Sequence, residues 1–206
     1  MKSFSKYFPH LLLVVYLVEF IVLAFHPTDR EVWQTENLTI IPIVLILVIL
    51  YYKKIRFSNI AYALMSVLIF MHTIGGHYTF ALVPFDWFDN FFGFERNMYD
   101  RVAHMTVGFY AYPMIEALIA YKVVNKTWFA YLASFAIIPA VAAIYEIFEW
   151  RYAVGADPTA GLAVLGSQGD IWDAQKDMLM DTIGGAIGAA LYFVASRVKG
   201  DSVSNV

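Results

Sequence analysis

The stretch GSQGDIWDAQKDMLMDTIGGAIGAALY, Gly166 to Tyr192, decides how the chain folds, because it carries four aspartates into a segment apolar enough for a membrane helix. At 100° per residue, Asp170, Asp173, Asp177 and Asp181 fall within about 80° of arc on one helix face. Gly184 and Gly188 continue that face, so the acidic row runs into a small-residue surface that lets a neighbouring helix approach closely. An ionised aspartate near the middle of a membrane helix costs roughly 2.5 to 3.5 kcal/mol. The acidic face must therefore look inward, toward cations, protons or water.

The rest of the chain agrees with a membrane setting. Of 206 residues, 60% are hydrophobic and only 15% charged, and the mean hydropathy is +0.61, which does not describe an ordinary soluble domain. Measured against the roughly 17 to 25 residues that span a bilayer, the apolar runs predict six transmembrane helices, at about 8–25, 38–53, 57–75, 100–121, 128–150 and 174–196. The second run is short and extends toward Thr35. The expected fold is all-α: a polytopic membrane helix bundle forming one domain over about 1–199, with a disordered tail over about 200–206. Lys2 and Lys6 precede the first run, but VLAFHP offers no small-residue cleavage pattern, so that run reads as a retained helix.

Basic residues orient the bundle. Lys2, Lys6, Lys53, Lys54, Arg56, Lys122, Lys126, Arg197 and Lys199 fall on one side of six spans, leaving Arg30, Arg96, Arg101, Arg151 and Lys176 for the other. That asymmetry predicts cytoplasmic termini in a bacterial inner membrane. The opposite side collects loop acids, among them Glu36. The chain has no cysteine, which excludes thiolate catalysis and Cys-based metal sites. With a net charge of −3 and no basic patch interleaved with aromatics, nucleic-acid binding has nothing to rest on.

Ionisable residues gather at the outer end of this topology. His72 and His77 end the third span, Asp100, Arg101 and His104 open the fourth, Glu146 and Glu149 close the fifth, and Asp173 and Asp177 open the sixth. Asp100 and His104 stand at i and i+4, which suits joint metal ligation or a carboxylate orienting an imidazole ligand. His72, His77, Asp100, His104 and Asp177 are therefore candidate metal ligands, with Glu146, Asp173, Asp177 and Asp181 as candidate acid–base groups. Carboxylates and imidazoles without thiolates suit Zn, Mn, Fe or, with more oxygen ligands, Mg and Ca. The plain alternatives are helix capping by Asp170 and Asp173, a helix-entry pair at Asp100 and Arg101, an interface pair of Glu149 with Arg151, and hydrogen-bonding histidines.

Between the third and fourth spans, FALVPFDWFDNFFGFERN predicts a short interfacial helix over about 85–92, with Trp87, Phe88, Phe91 and Phe92 on one face. It serves as an aromatic anchor or as a lid for a lipid-like substrate. The Gly-rich GADPTAGLAVLGSQGD reads as a tight loop between the last two spans.

The blocks HTIGGHYTFA, NMYDRVAHMTVGFYAYP, YEIFEW and GSQGDIWDAQKDMLMDTIGGAIGA, in this order, resemble the YjdF-type bacterial inner-membrane proteins, a family with no settled reaction. The resemblance runs from about Tyr62 onward. A looser similarity extends to VanZ-like proteins, associated with teicoplanin resistance, through Asp100, Arg101 and His104, then Glu146 or Glu149, then Asp173, Asp177 and Asp181. Where the VanZ pattern places Gln after its Glu, this chain has Glu149 and Trp150. The resemblance implies a cell-envelope setting and supports the choice of residues.

Three functions remain open on the sequence. One is a divalent-metal-dependent membrane hydrolase or transferase acting on a lipid or lipid-linked substrate. The second is a non-catalytic envelope or accessory protein whose cluster is a structural ion-pair network, with Arg101, Arg151 and Lys176 as neutralising cations. The third is a proton- or cation-coupled transporter.

Overall fold

The computed structural model describes residues 2–198, so the tail expected at 200–206 lies outside the described residues. Along the described chain run α1 (Lys2–Leu23), α2 (Arg30–Tyr52), α3 (Asn59–Tyr78), α4 (Asp86–Phe92), α5 (Tyr99–Gly108), α6 (Ala111–Ala120), α7 (Thr127–Gly155), α8 (Pro158–Leu165) and α9 (Asp173–Val198). Five of them, α1, α2, α3, α7 and α9, are long and apolar enough to cross a membrane. The chain is a helical membrane bundle.

The expected fourth span is present in two pieces, α5 and α6. At their junction Phe109 N–H donates to Thr106 O (3.2 Å), Tyr110 N–H to Val107 O (3.1 Å) and Tyr112 N–H to Phe109 O (3.1 Å), each reaching back three residues. Pro113 has no N–H to give the Phe109 carbonyl, so the coil tightens there into a 3₁₀ turn without reversing direction. Two further readings are corrected. The α2 helix begins at Arg30, its first turn capped by Asp29, whose carboxylate accepts from Glu31 and Val32 N–H, so Glu36 lies inside a helix and not in a loop. The stretch read as a tight loop after α7 contains α8, opened by Pro158 and capped by Asp157, which accepts from Thr159 N–H at 2.9 Å.

The bundle is apolar outside and polar within. Val14, Val18 and Val22 of α1, Leu45 and Ile49 of α2, Ile144 and Ile147 of α7, and Leu179 and Val194 of α9 are exposed. Asp100, Arg101, His104, Asp173, Asp177 and Asp181 are buried. Water would tolerate neither half of that pattern, whereas a bilayer favours the first and forces the second inward. At the end where α1 begins and α9 finishes, Phe8, Tyr51, Tyr62, Tyr112 and Tyr192 close one apolar cluster. At the opposite, acidic end, Phe80, Val83, Tyr99 and Ala103 form another. Beside it α4 turns Trp87, Phe91 and Phe92 outward, while the Asp89 carboxylate is buried and accepts from Met98 N–H at 3.1 Å. Its aromatic face thus points where headgroups would lie.

α5 and α9 lie parallel and in very close contact. A Cβ on Gly184 would collide with the Met105 carbonyl, and one on Gly108 with the backbone of Asp181, Gly184 and Gly185. These glycines therefore serve packing within the chain, and they set the distance between the two walls of the polar site.

Candidate functional site

Two rows of side chains spaced at i, i+4 and i+8 are laid face to face. α5 contributes Asp100, His104 and Gly108, and α9 contributes Asp177, Asp181 and Gly185. Because the helices run in the same direction, the rows match level by level. His104 Nδ1 lies 3.2 Å from Asp181 Oδ2, and His104 Nε2 lies 3.8 Å from Asp100 Oδ1. One ligand atom each from Asp100, His104 and Asp177 falls within 4.8 Å of the others. An ionised carboxylate only accepts, so in a neutral ring the contact with Asp181 places the proton on Nδ1 and turns the Nε2 lone pair toward Asp100.

Arg101, one residue from Asp100 and therefore about 100° around α5, reaches the first turn of α9. Its guanidinium donates to Asp173 Oδ1 at 2.5 Å, to the Asp173 carbonyl at 2.9 Å and to Asp170 Oδ2 at 3.3 Å, and it pairs with Asp177. Arg96 adds a second contact to Asp173 Oδ1, at 2.8 Å. Lys176 donates to Asp170 Oδ2 at 2.6 Å and, with the Trp172 N–H, holds that carboxyl below the usual carboxylate range. The Asp170 contribution is thus intact at neutral pH and is lost only as pH falls through the lowered value. Arg101 is 3% exposed and Asp177 likewise 3%, so removing either partner would strand a buried charge.

The opposite wall comes from α2, α3 and α7. His72 Nε2 lies 3.0 Å from Glu36 Oε2 and 3.3 Å from Thr39 Oγ1, and Tyr145 O–H donates to the same Glu36 oxygen at 3.1 Å. The Tyr145 ring stands between two imidazoles, 6.2 Å from His72 and 6.1 Å from His104. Between the walls lies a cavity of about 110 Å³ bordered by His72, Asp100, His104, Tyr145, Glu149 and Asp181, with Ile40, Leu68, Val107 and Val141 making it apolar elsewhere. Gly166, the cap of α8, borders it in the left-handed region at φ +61°, and a Cβ there would press to 3.1 Å from Asp100 Oδ2.

The structure thus brings Asp100, His104, Asp177 and Asp181 together, and sets His72 across the cavity from them. Asp173 is held at the rim by two arginines. Glu146 keeps one carboxyl oxygen buried without a hydrogen-bond partner among the described residues, as Asp181 does with Oδ1. His77 is engaged elsewhere, donating from Nδ1 to the Leu23 carbonyl at 2.7 Å and meeting the Trp33 ring at 6.4 Å. Glu149 borders the cavity, and Arg151 stacks over Trp150 at 5.5 Å.

Sequence reasoning missed Glu36, Tyr145 and Arg96. Glu36 was hidden by its place in the polar run QTEN before the apolar part of α2, and Arg96 by an aromatic loop. Tyr145 stands at i and i+4 with Glu149, the spacing that singled out Asp100 and His104, and that signal was available.

The predicted membrane protein family DUF2238 matches residues 8–197. The chain is 30% identical over 172 residues to the inner membrane protein YjdF of Escherichia coli (strain K12), covering 76% of this chain and 75% of that protein. No solved structure matches. A match across nearly all of the helical bundle, together with that relative, places the chain in the DUF2238 family of membrane proteins, to which it belongs.

Proposed function

We propose that Asp100, His104 and Asp177 hold a divalent cation at the extracytoplasmic end of an inner-membrane protein, and that the site performs hydrolysis or group transfer on a lipid or lipid-linked envelope substrate. The observation that carries this reading is the His104 imidazole, bonded through Nδ1 to Asp181 while Nε2 faces Asp100, with Asp177 offering a third ligand atom within 4.8 Å. That is the carboxylate–histidine–metal arrangement, in which an outer carboxylate fixes tautomer and ring orientation. The 3.8 Å from Nε2 to Asp100 is too long for a hydrogen bond. It is shorter than about 4.2 Å, twice a typical metal–ligand distance.

Charge supports the same reading. Asp100, Asp170, Asp173, Asp177 and Asp181 face Arg96, Arg101 and Lys176. These acids outnumber the three cations, and Glu146 and Glu149 stand close by, so the site has a surplus of carboxylates that a divalent ion would offset. The donor set suits Zn, Mn, Fe or Mg. Such an ion would lower the pKa of a bound water toward neutrality and supply a nucleophile. Glu149 on the cavity wall, or Glu146 one turn away, would accept its proton, and Asp173, clamped by Arg96 and Arg101, holds Arg101 beside Asp177. The apolar remainder of the cavity suits a hydrocarbon chain.

A structural network is the second reading, favoured by the saturation of Arg101 with carboxylates. Transport has less to rest on, because Glu116 toward the terminal end is committed to Ser58, accepting from its N–H at 2.5 Å and its hydroxyl at 2.6 Å.

The chemistry is tested by incubating purified protein with a total envelope-lipid extract, with and without Zn²⁺, Mn²⁺ or Mg²⁺, and following lipid composition by mass spectrometry. A metal-dependent loss of one lipid class, absent in Asp177→Ala, is expected. An unchanged lipid profile under every metal would contradict the enzymatic reading.

A further inference from the structure

A second cavity lies outside this site, toward the end where α1 begins and α9 finishes. α1 and α2 each pack along α3, and they meet one another at two levels: His10 against Tyr51 at 5.0 Å, and Phe20 against Trp33 at 5.5 Å. Between those levels the helices part around a lipid-facing groove of about 90 Å³, lined by Leu13, Tyr16, Leu47, Val48, Ile69 and Phe70. Its α2 wall runs from Val44 to Tyr52, about 12 Å at 1.5 Å per residue.

The mouth of the groove is cationic. Lys6 Nζ lies 5.6 Å over the Tyr7 ring, Tyr7 lies 6.1 Å from His10, His10 meets Tyr51, and the Arg56 guanidinium lies 4.6 Å over the Tyr51 ring. His10 and Tyr51 themselves line the groove, so one cation flanks each wall. No ion pair engages Lys6 or Arg56 among the described residues. Lys53, Lys54, Lys122, Lys126 and Arg197 lie at the same end of the bundle. An apolar slot between membrane helices accepts a hydrocarbon chain, and unpaired cations at its mouth accept a phosphate.

We infer that the groove binds an anionic glycerophospholipid, one acyl chain lying between α1 and α2 over α3 and its headgroup phosphate held between Arg56 and Lys6. The charge complementarity at the mouth selects this lipid over a zwitterionic one of the same chain length. Arg56 supplies the stronger contact, because its guanidinium offers several donors in a fixed plane and is already oriented by stacking on Tyr51. The site makes no use of the acidic end and stands independently of the reading given above.

Native mass spectrometry of the full chain in detergent, titrated with phosphatidylglycerol and with phosphatidylcholine of identical acyl chains, tests it. Wild type binds phosphatidylglycerol at least about fivefold more tightly, the worth of one cation beside an anionic headgroup. Arg56→Gln removes that preference, Lys122→Gln at the same end but outside the groove keeps it, and Leu13→Trp weakens both lipids by filling the slot. Thermal unfolding in lipid-free detergent checks each fold, and Val48→Trp from the other wall replaces Leu13→Trp if that variant unfolds. Equal binding of the two lipids by wild type, a preference surviving Arg56→Gln, or unchanged binding in the filled-groove variant would overturn the proposal.

Discussion

His104 has a fixed task for each of its ring nitrogens. Nδ1 meets Asp181, which is 1% exposed and belongs to another helix, and Nε2 faces Asp100. If Asp181 orients the ring for a metal, Asp181→Asn leaves the three ligands in place and loosens their arrangement. Metal affinity of the purified variant, measured by competition with a chelator, is then expected to fall about 10- to 100-fold without vanishing. An unchanged affinity would remove Asp181 from that role. At this scale the sequence was informative where spacing was regular, as for Asp100 with His104 and for the aspartate row. It was silent where partners came from distant segments, because nothing local marks Arg96 as a partner of Asp173, 77 residues later.

The pairing of α5 with α9 determines what those residues can do. Two parallel helices with matched four-residue rows keep Asp100 level with Asp177 and His104 level with Asp181, and Gly108, Gly184 and Gly185 permit the backbone contact that holds this register. Gly184→Ala therefore forces the helices apart, at a cost of about 1–3 kcal/mol by analogy with overpacked cores. Gly155, where an added methyl group would meet nothing within 4 Å, is the control. Thermal unfolding in one detergent should fall clearly for Gly184→Ala and stay near wild type for Gly155→Ala; equal shifts would refute the packing role. Hydropathy made the long helices legible, since length and apolarity are properties of a single segment. The split of the fourth span is carried by Pro113 within an otherwise continuous apolar run, and α8 is obscured by the glycines flanking a short apolar run. Likewise, α2 looked shorter than it is because its first turns, buried at Glu36 and Asn37, are polar.

Across the whole molecule, charge is separated along the bundle axis. Basic side chains mark the end with the termini, while carboxylates with their arginine partners fill the other end beneath the aromatic face of α4. The positive-inside rule predicts cytoplasmic termini, so an alkaline phosphatase fused after Val198 should be inactive and a fluorescent protein fused there should glow. Active phosphatase would invert the orientation of both cavities. In that orientation the proposed metal site would open toward the extracytoplasmic side. Metal content of the detergent-purified full chain, determined by elemental mass spectrometry for wild type, His104→Ala and Asp177→Ala variants of matched thermal stability, addresses that site most directly. About one divalent ion per wild-type chain, lost from both variants, is the expected result. Wild-type protein that remains metal-free after purification without chelators and incubation with Zn²⁺, Mn²⁺, Fe²⁺ and Mg²⁺ would contradict it.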